Sequence, residues 1–144
     1  MKNGITSPSF ASASAITSLD LIGSKITDRG AVALGRMKTL EKLQIWKTSL
    51  TDKGAADLAQ SPSLVSLHLG GPSFGDAGVA AIVARKKPWQ ELSFPVSPLV
   101  TDASVPKLAE LKSLQILGVE RTSITAAGLS KLRKALSGTK IYPE

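Results

Sequence analysis

The chain has 144 residues, no cysteine, and 18 lysines and arginines against 11 aspartates and glutamates, for a formal net charge of +7. With 42% apolar but only 4% aromatic residues, it is a single domain with an aliphatic core, of a size that buries roughly 68–70% of its unfolded surface. The missing cysteines exclude disulfides, zinc–thiolate sites and cysteine nucleophiles, and no apolar run reaches the ~18–20 residues of a membrane span.

Met1 to Ala15 is rich in serine, alanine and glycine. It reads as an N-terminal lead or partial cap over the first strand, with Ile5, Pro8 and Phe10 as anchors. Ala11-Ser12-Ala13 has the look of a cleavage site, but no apolar stretch precedes it, so a signal peptide is not expected. The expected location is the cytoplasm, unless a targeting segment has been removed.

From residue 16 to 139 the chain repeats itself in five units. Ile26-Thr27-Asp28-Arg29-Gly30 returns as Leu50-Thr51-Asp52-Lys53-Gly54 and as Phe74-Gly75-Asp76-Ala77-Gly78, with a step of 24 residues. A fixed period of this length marks a repeated supersecondary unit. Each unit opens on a short apolar pattern: Ile16, Leu19 and Leu21; Leu40, Leu43 and Ile45; Leu64, Leu67 and Leu69; Trp89, Leu92 and Phe94; Leu114, Leu117 and Val119. The last two members of each set alternate with polar residues, as a strand with one buried face requires. A fourth apolar position follows at Ile26, Leu50, Phe74, Val100 and Ile124.

Helices are expected next. Thr27-Asp28, Thr51-Asp52, Gly75-Asp76 and Thr101-Asp102 stand at their starts and supply oxygen acceptors for orphaned N–H groups, and the aspartates also complement the helix dipole. The same four carboxylates also suggest a calcium ladder, but no second acidic residue accompanies each of them, and oxygen cages need several ligands. Capping is therefore the preferred reading and no metal is expected. Apolar residues recur inside each helix at i and i+3, as in Ala31, Leu34 and Met37, or Val105, Leu108 and Leu111, giving one buried stripe per unit. Gly30, Gly54, Gly78 and Gly128, with Ser104 in unit four, occupy the first helical turn. Glycine costs about 1 kcal/mol there against alanine, which implies a close approach by a neighbouring backbone. Arg85-Lys86-Lys87 is read as a cationic helix C-terminus. Trp89 holds a leucine position and is assigned to the core. Ile141 supplies a last half-strand in the C-terminal segment 140–144, with Tyr142 and Pro143 covering the end.

One strand and one helix per unit cannot close a core alone, whereas stacked units can. This register resembles the leucine-rich repeat family, and the Ile-Thr-Asp-x-Gly wording is similar to the short subclass of F-box-associated and bacterial repeats. The resemblance implies an α/β fold: a right-handed leucine-rich-repeat solenoid, a horseshoe segment with a parallel concave sheet and convex helices. The family's asparagine or cysteine before the fourth apolar position is replaced by Ser24, Thr48, Pro72, Ser97 or Pro98, and Thr122. Its side-chain ladder is thus expected to be weak, and absent in units three and four. An exposed sheet edge at either end is a template for self-association.

Candidate binding residues lie on the strand face. Trp46 projects from it beside Ile22 and Gly70, and tryptophan is the residue type that most often anchors interfaces. Lys42, Gln44, Lys47 and His68 complete one patch, with Glu91, Glu120 and Arg121 farther along. The face is mixed in sign, which argues against a nucleic-acid groove needing a continuous basic stripe. His68 is the single histidine. A set of Asp20, His68 and Ser93 is conceivable, but Asp20 lies two strands away at ~4.8 Å per strand, too far to orient a base. Gly70-Gly71-Pro72 and Pro95-Val96-Ser97-Pro98 break the pattern and add irregular loops beside the face. The reading is a non-catalytic protein–protein interaction module with an unknown protein partner, no cofactor, no metal and no catalytic residue. The alternatives are a structural or self-assembling module and, less favoured, a basic nucleic-acid-binding surface.

Overall fold

A computed structural model describes residues 16–143. The cap expected from Met1 to Ala15 lies outside them. Six strands form one parallel sheet in chain order: β1 (Ser18–Asp20), β2 (Lys42–Trp46), β3 (Ser66–Gly70), β4 (Glu91–Ser93), β5 (Ile116–Gly118) and β6 (Lys140–Tyr142). Between them run α1 (Asp28–Gly35), α2 (Asp52–Leu58), α3 (Asp76–Val83), α4 (Val105–Leu108) and α5 (Ala126–Ala135). Ile141, expected to supply a last half-strand, is the middle residue of β6 and pairs with Leu117, and Tyr142, expected to cover the end, belongs to the same strand.

The core lies between sheet and helices. Leu43, Ile45, Leu67, Leu69, Leu92 and Leu117 point inward and are fully buried. They meet the helical stripe of Ala31, Leu58, Val79, Ile82, Leu108 and Leu132. In unit one Ile16, Leu19, Leu21 and Ile26 are only partly buried. Trp89 is 0% exposed, and its indole N–H donates to the Ile82 carbonyl at 3.3 Å. Phe74 and Phe94 pack with ring centroids 5.3 Å apart.

Unit four departs from a plain helix. Asp102–Ser104 is a 3₁₀ turn and only Val105–Leu108 is α-helical. Pro106 lacks the N–H that would donate four residues back, so the first turn tightens instead.

Of the residues expected to cap, Thr51 and Thr101 do so, whereas the aspartates, although in the first turns, do not cap their own helices. Each reaches one repeat forward to the residue that opens the next helix. Asp28 accepts from the Thr51 N–H at 2.9 Å, Asp52 from Gly75 at 2.7 Å, Asp76 from Thr101 at 2.8 Å and Asp102 from Thr125 at 2.8 Å. Where that residue is threonine, its hydroxyl donates to the second carboxylate oxygen. The same hydroxyls then accept from Lys53, Ala103 and Gly128 N–H groups and supply the caps. Thr27 has no such aspartate among the described residues, and its side chain makes no cap.

The glycine column has a different cause from the expected one. A Cβ on Gly54, Gly78 or Gly128 would collide with the aspartate carboxylate of the preceding repeat and with the apolar side chain four residues earlier, not with a neighbouring backbone. In unit four Ser104 turns this proximity into a bond, its hydroxyl donating to Asp76 at 2.6 Å.

Two further expectations change. Unit four keeps a turn ladder: the Ser97 hydroxyl is buried, accepts from the Gly71 N–H at 3.2 Å and donates to the Pro95 carbonyl. The run Arg85-Lys86-Lys87 lies beyond α3, whose last turn holds no basic residue. Lys87 reaches back to the Ser61 carbonyl at 2.5 Å and lies 4.6 Å from the Trp89 ring centre. Burial, and then the nearby Arg85 charge, push its pKa down to about 8.

Candidate functional site: a cleft on the concave strand face

Parallel register places the outward side chains in rows. One row runs Asp20, Gln44, His68, Ser93, Gly118, Tyr142 across all six strands. A second runs Ser18, Lys42, Ser66, Glu91, Ile116, Lys140, and Trp46 lies beside Gly70 at the strand end. Large side chains flank small ones in these rows, so the face sinks where Ser93 and Gly118 sit. The resulting open cleft has a volume of about 420 Å³. Gln44, Trp46, His68, Glu91 and Glu120 line it, together with Ser93, Pro95, Ile116, Gly118 and Tyr142.

Five of the eight expected site residues therefore meet in one place. Lys42, Lys47 and Arg121 do not line the cleft. Lys47 and Arg121 take left-handed turns just after their strands, at φ 58° and 56°. Gly23 holds the equivalent turn at φ 72° without strain, whereas Val96 adopts it at φ 53°. A β-branched residue there is a true outlier. The Lys47 ammonium lies 5.2 Å from the centre of the Trp46 ring.

His68 and Glu91 form a polar pair, Nε2 to Oε1 at 3.3 Å, each side chain about a quarter exposed. The Ser66 hydroxyl adds a bond to the same oxygen at 3.4 Å. Asp20 plays no part, since its carboxylate accepts from the Ile22 N–H at 3.1 Å. Ser93 makes no hydrogen bond to His68 among the described residues, so nucleophile, base and orienting acid are not assembled. No group of three or more potential metal ligands occurs among the described residues. No helix of the described residues is long and apolar enough to cross a membrane.

Sequence reasoning missed Ile116 and Tyr142 in the cleft wall. Tyr142 was out of reach because a strand of three residues at the chain end carries almost no periodicity. Ser93 and Gly118 were visible in the His68 column, but that they form a hollow depends on what stands around them.

A family model described as "Leucine Rich repeat" matches residues 14–35 and 60–83. Together with the stacked parallel strands, this decides the architecture. The fold is a right-handed leucine-rich-repeat solenoid. Solved structures of two proteins are similar to it over most of their length. One is leiomodin-1 actin-binding site 2, with a TM-score of 0.71 and 19% identity over 88% of this chain and 82% of that one. The other is a tropomodulin C-terminal domain from Caenorhabditis elegans, with a TM-score of 0.69 and 15% identity over 88% and 85%. No curated protein matches by sequence.

Proposed function

We propose that this leucine-rich-repeat domain is a non-catalytic protein-binding module, and that its partner seats on the concave strand face and adjoining loops. The carrying observation is the cleft, which a half-buried Trp46, beside Gly70 at the strand end, lines together with Ser93 and Gly118. Side chains on paired strands are held before the partner arrives, so little ordering entropy is spent on binding. Trp46 is the expected anchor, followed by Gln44, His68, Lys47 and Lys42, with Glu91, Glu120 and Arg121 at the far side. The similar leiomodin-1 structure is of an actin-binding site, which supports a protein partner for a fold of this shape. The cleft lining includes two glutamates and no lysine or arginine, which favours protein over nucleic acid.

The test is affinity capture with mass spectrometry, using the wild type and Trp46→Ala in parallel. The variant is expected to melt within a few degrees of wild type and to lose the captured partner. A variant that melts far lower would make Trp46 a structural lid and remove the assignment.

A further inference from the structure

The cleft carries charge opposite in sign to the chain. The protein has a net charge of +7, yet the charged residues lining the hollow are Glu91 and Glu120. Four other carboxylates, those of Asp28, Asp52, Asp76 and Asp102, are committed to bonds between repeats. Glu120 is not so committed: it makes no side-chain hydrogen bond or ion pair among the described residues. Its Oε1 lies 3.5 Å from where a Cβ on Gly118 would be, so it leans over the floor of the hollow. Glu91 has one oxygen bonded to His68 and Ser66, which leaves the other to accept. At the floor stands Ser93, 8% exposed, which lines the cleft and fills the space that a Cβ on Gly118 would take; its hydroxyl has no hydrogen-bond partner among the described residues. Trp46 and Tyr142 wall the two ends. Each ring already has a lysine of this chain near it, Lys47 at 5.2 Å and Lys140 at 5.9 Å from the ring centres. These exposed contacts are weak and yield to a cation that also reaches a carboxylate.

We infer that the cleft is a receptor for a basic side chain of the partner, and for arginine in particular. A guanidinium is planar, stacks on aromatic faces, loses its weak hydration easily and offers several donors in one plane. The acceptors that line the cleft are Glu120, the second Glu91 oxygen and the Ser93 hydroxyl. This assignment rests on the concave face being the binding surface and adds the chemistry that it selects.

The probe is the blocked peptide Gly-Arg-Gly, titrated into the ¹⁵N-labelled chain and followed by amide and indole NMR shifts. The same peptide with citrulline, which keeps the shape and removes the charge, and with glutamate serve as comparisons. Saturable shifts are expected at Ser93, Gly118, Glu120 and the Trp46 indole. Citrulline, or Glu120→Gln in the protein, should weaken binding by about tenfold, as the loss of a charge-assisted bond does. The spectrum of Glu120→Gln itself reports whether the variant is folded. If citrulline or glutamate peptides move the same amides with equal affinity, the cation reading falls and the concave face stands. If the arginine peptide shifts only helix or sheet-edge amides, or none at all, the cation receptor is overturned, and partner capture by Trp46→Ala then judges the face on its own.

Discussion

The carboxylate of Asp76 holds Thr101 twice, taking its N–H at 2.8 Å and its hydroxyl at 2.5 Å from a residue one repeat further along the chain. Ser104 adds a third bond at 2.6 Å. This clamp ties two repeats together at the side chain, outside both the sheet ladder and the core.

Asp76→Ala removes all three bonds and leaves the Thr101 N–H without an acceptor. The expected cost is about 2 kcal/mol, or roughly 4–8 °C in melting temperature. Asp57→Ala is the comparison. Its exposed pair with Lys53, 3.2 Å apart with the lysine 74% exposed, should be worth less than about 1 kcal/mol. Equal losses for the two variants, read by thermal melts, would contradict the clamp.

Acid should release the same clamps. Burial alone would raise the Asp76 pKa, but the bonds from Ser104 and Thr101 together outweigh it and hold it below the ordinary 3.8. Asp102 is lowered chiefly by the Thr125 hydroxyl, then by the Thr125 N–H. The unfolded chain therefore binds protons more readily at these sites. Their contribution is fully present above about pH 4 and is lost as pH falls below 3.8 through the folded-state values. Urea unfolding followed downward in pH should show stability declining in that window. Asp76→Asn should decline less steeply than wild type.

Gly128→Ala tests the forward aspartates from the other side. Helix propensity alone favours alanine by about 1 kcal/mol. However, a Cβ there would collide with Asp102 Oδ1 and lie 3.0 Å from Ile124 Cγ2. The variant is expected to melt lower than wild type. Gly138→Ala, with nothing within 4 Å of the added carbon, should not. A stabilised Gly128→Ala would show that the carboxylate moves aside freely.

Val96 is left-handed at φ 53° and 39% exposed, so it gives up backbone energy while leaving over a third of its surface in solvent. Val96→Asn should stabilise the domain by about 1 kcal/mol, since asparagine tolerates this region far better. A lower melting temperature would mean that the valine side chain holds the Pro95–Pro98 loop by contacts worth more than the strain.

Most of the scaffold was legible in the residues because its causes are local. Leu43 and Ile45, or Leu67 and Leu69, alternate along one strand, and Ala31, Leu34 and Met37 recur along one helix. These periods follow from backbone geometry. The roles of Asp76 and Gly128 were misread for the opposite reason. The partners that explain them lie in another repeat, and a motif names its neighbours in sequence only. Trp46, Gln44, His68, Glu91 and Glu120 could be placed on the outward face by counting, while Lys42, Lys47 and Arg121 could not be separated from them by that means.

The sequence by itself determined the repeat, its period, the buried stripes and which residues of each strand face outward, since each follows from the spacing of apolar residues along one segment. Only the tertiary structure decided that Asp76 serves the next helix instead of its own, that Ser93 and Gly118 form a hollow, and that Tyr142 closes it. Those facts depend on lateral register between strands and on the relative size of side chains 24 or 25 residues apart, and a single segment carries no record of either.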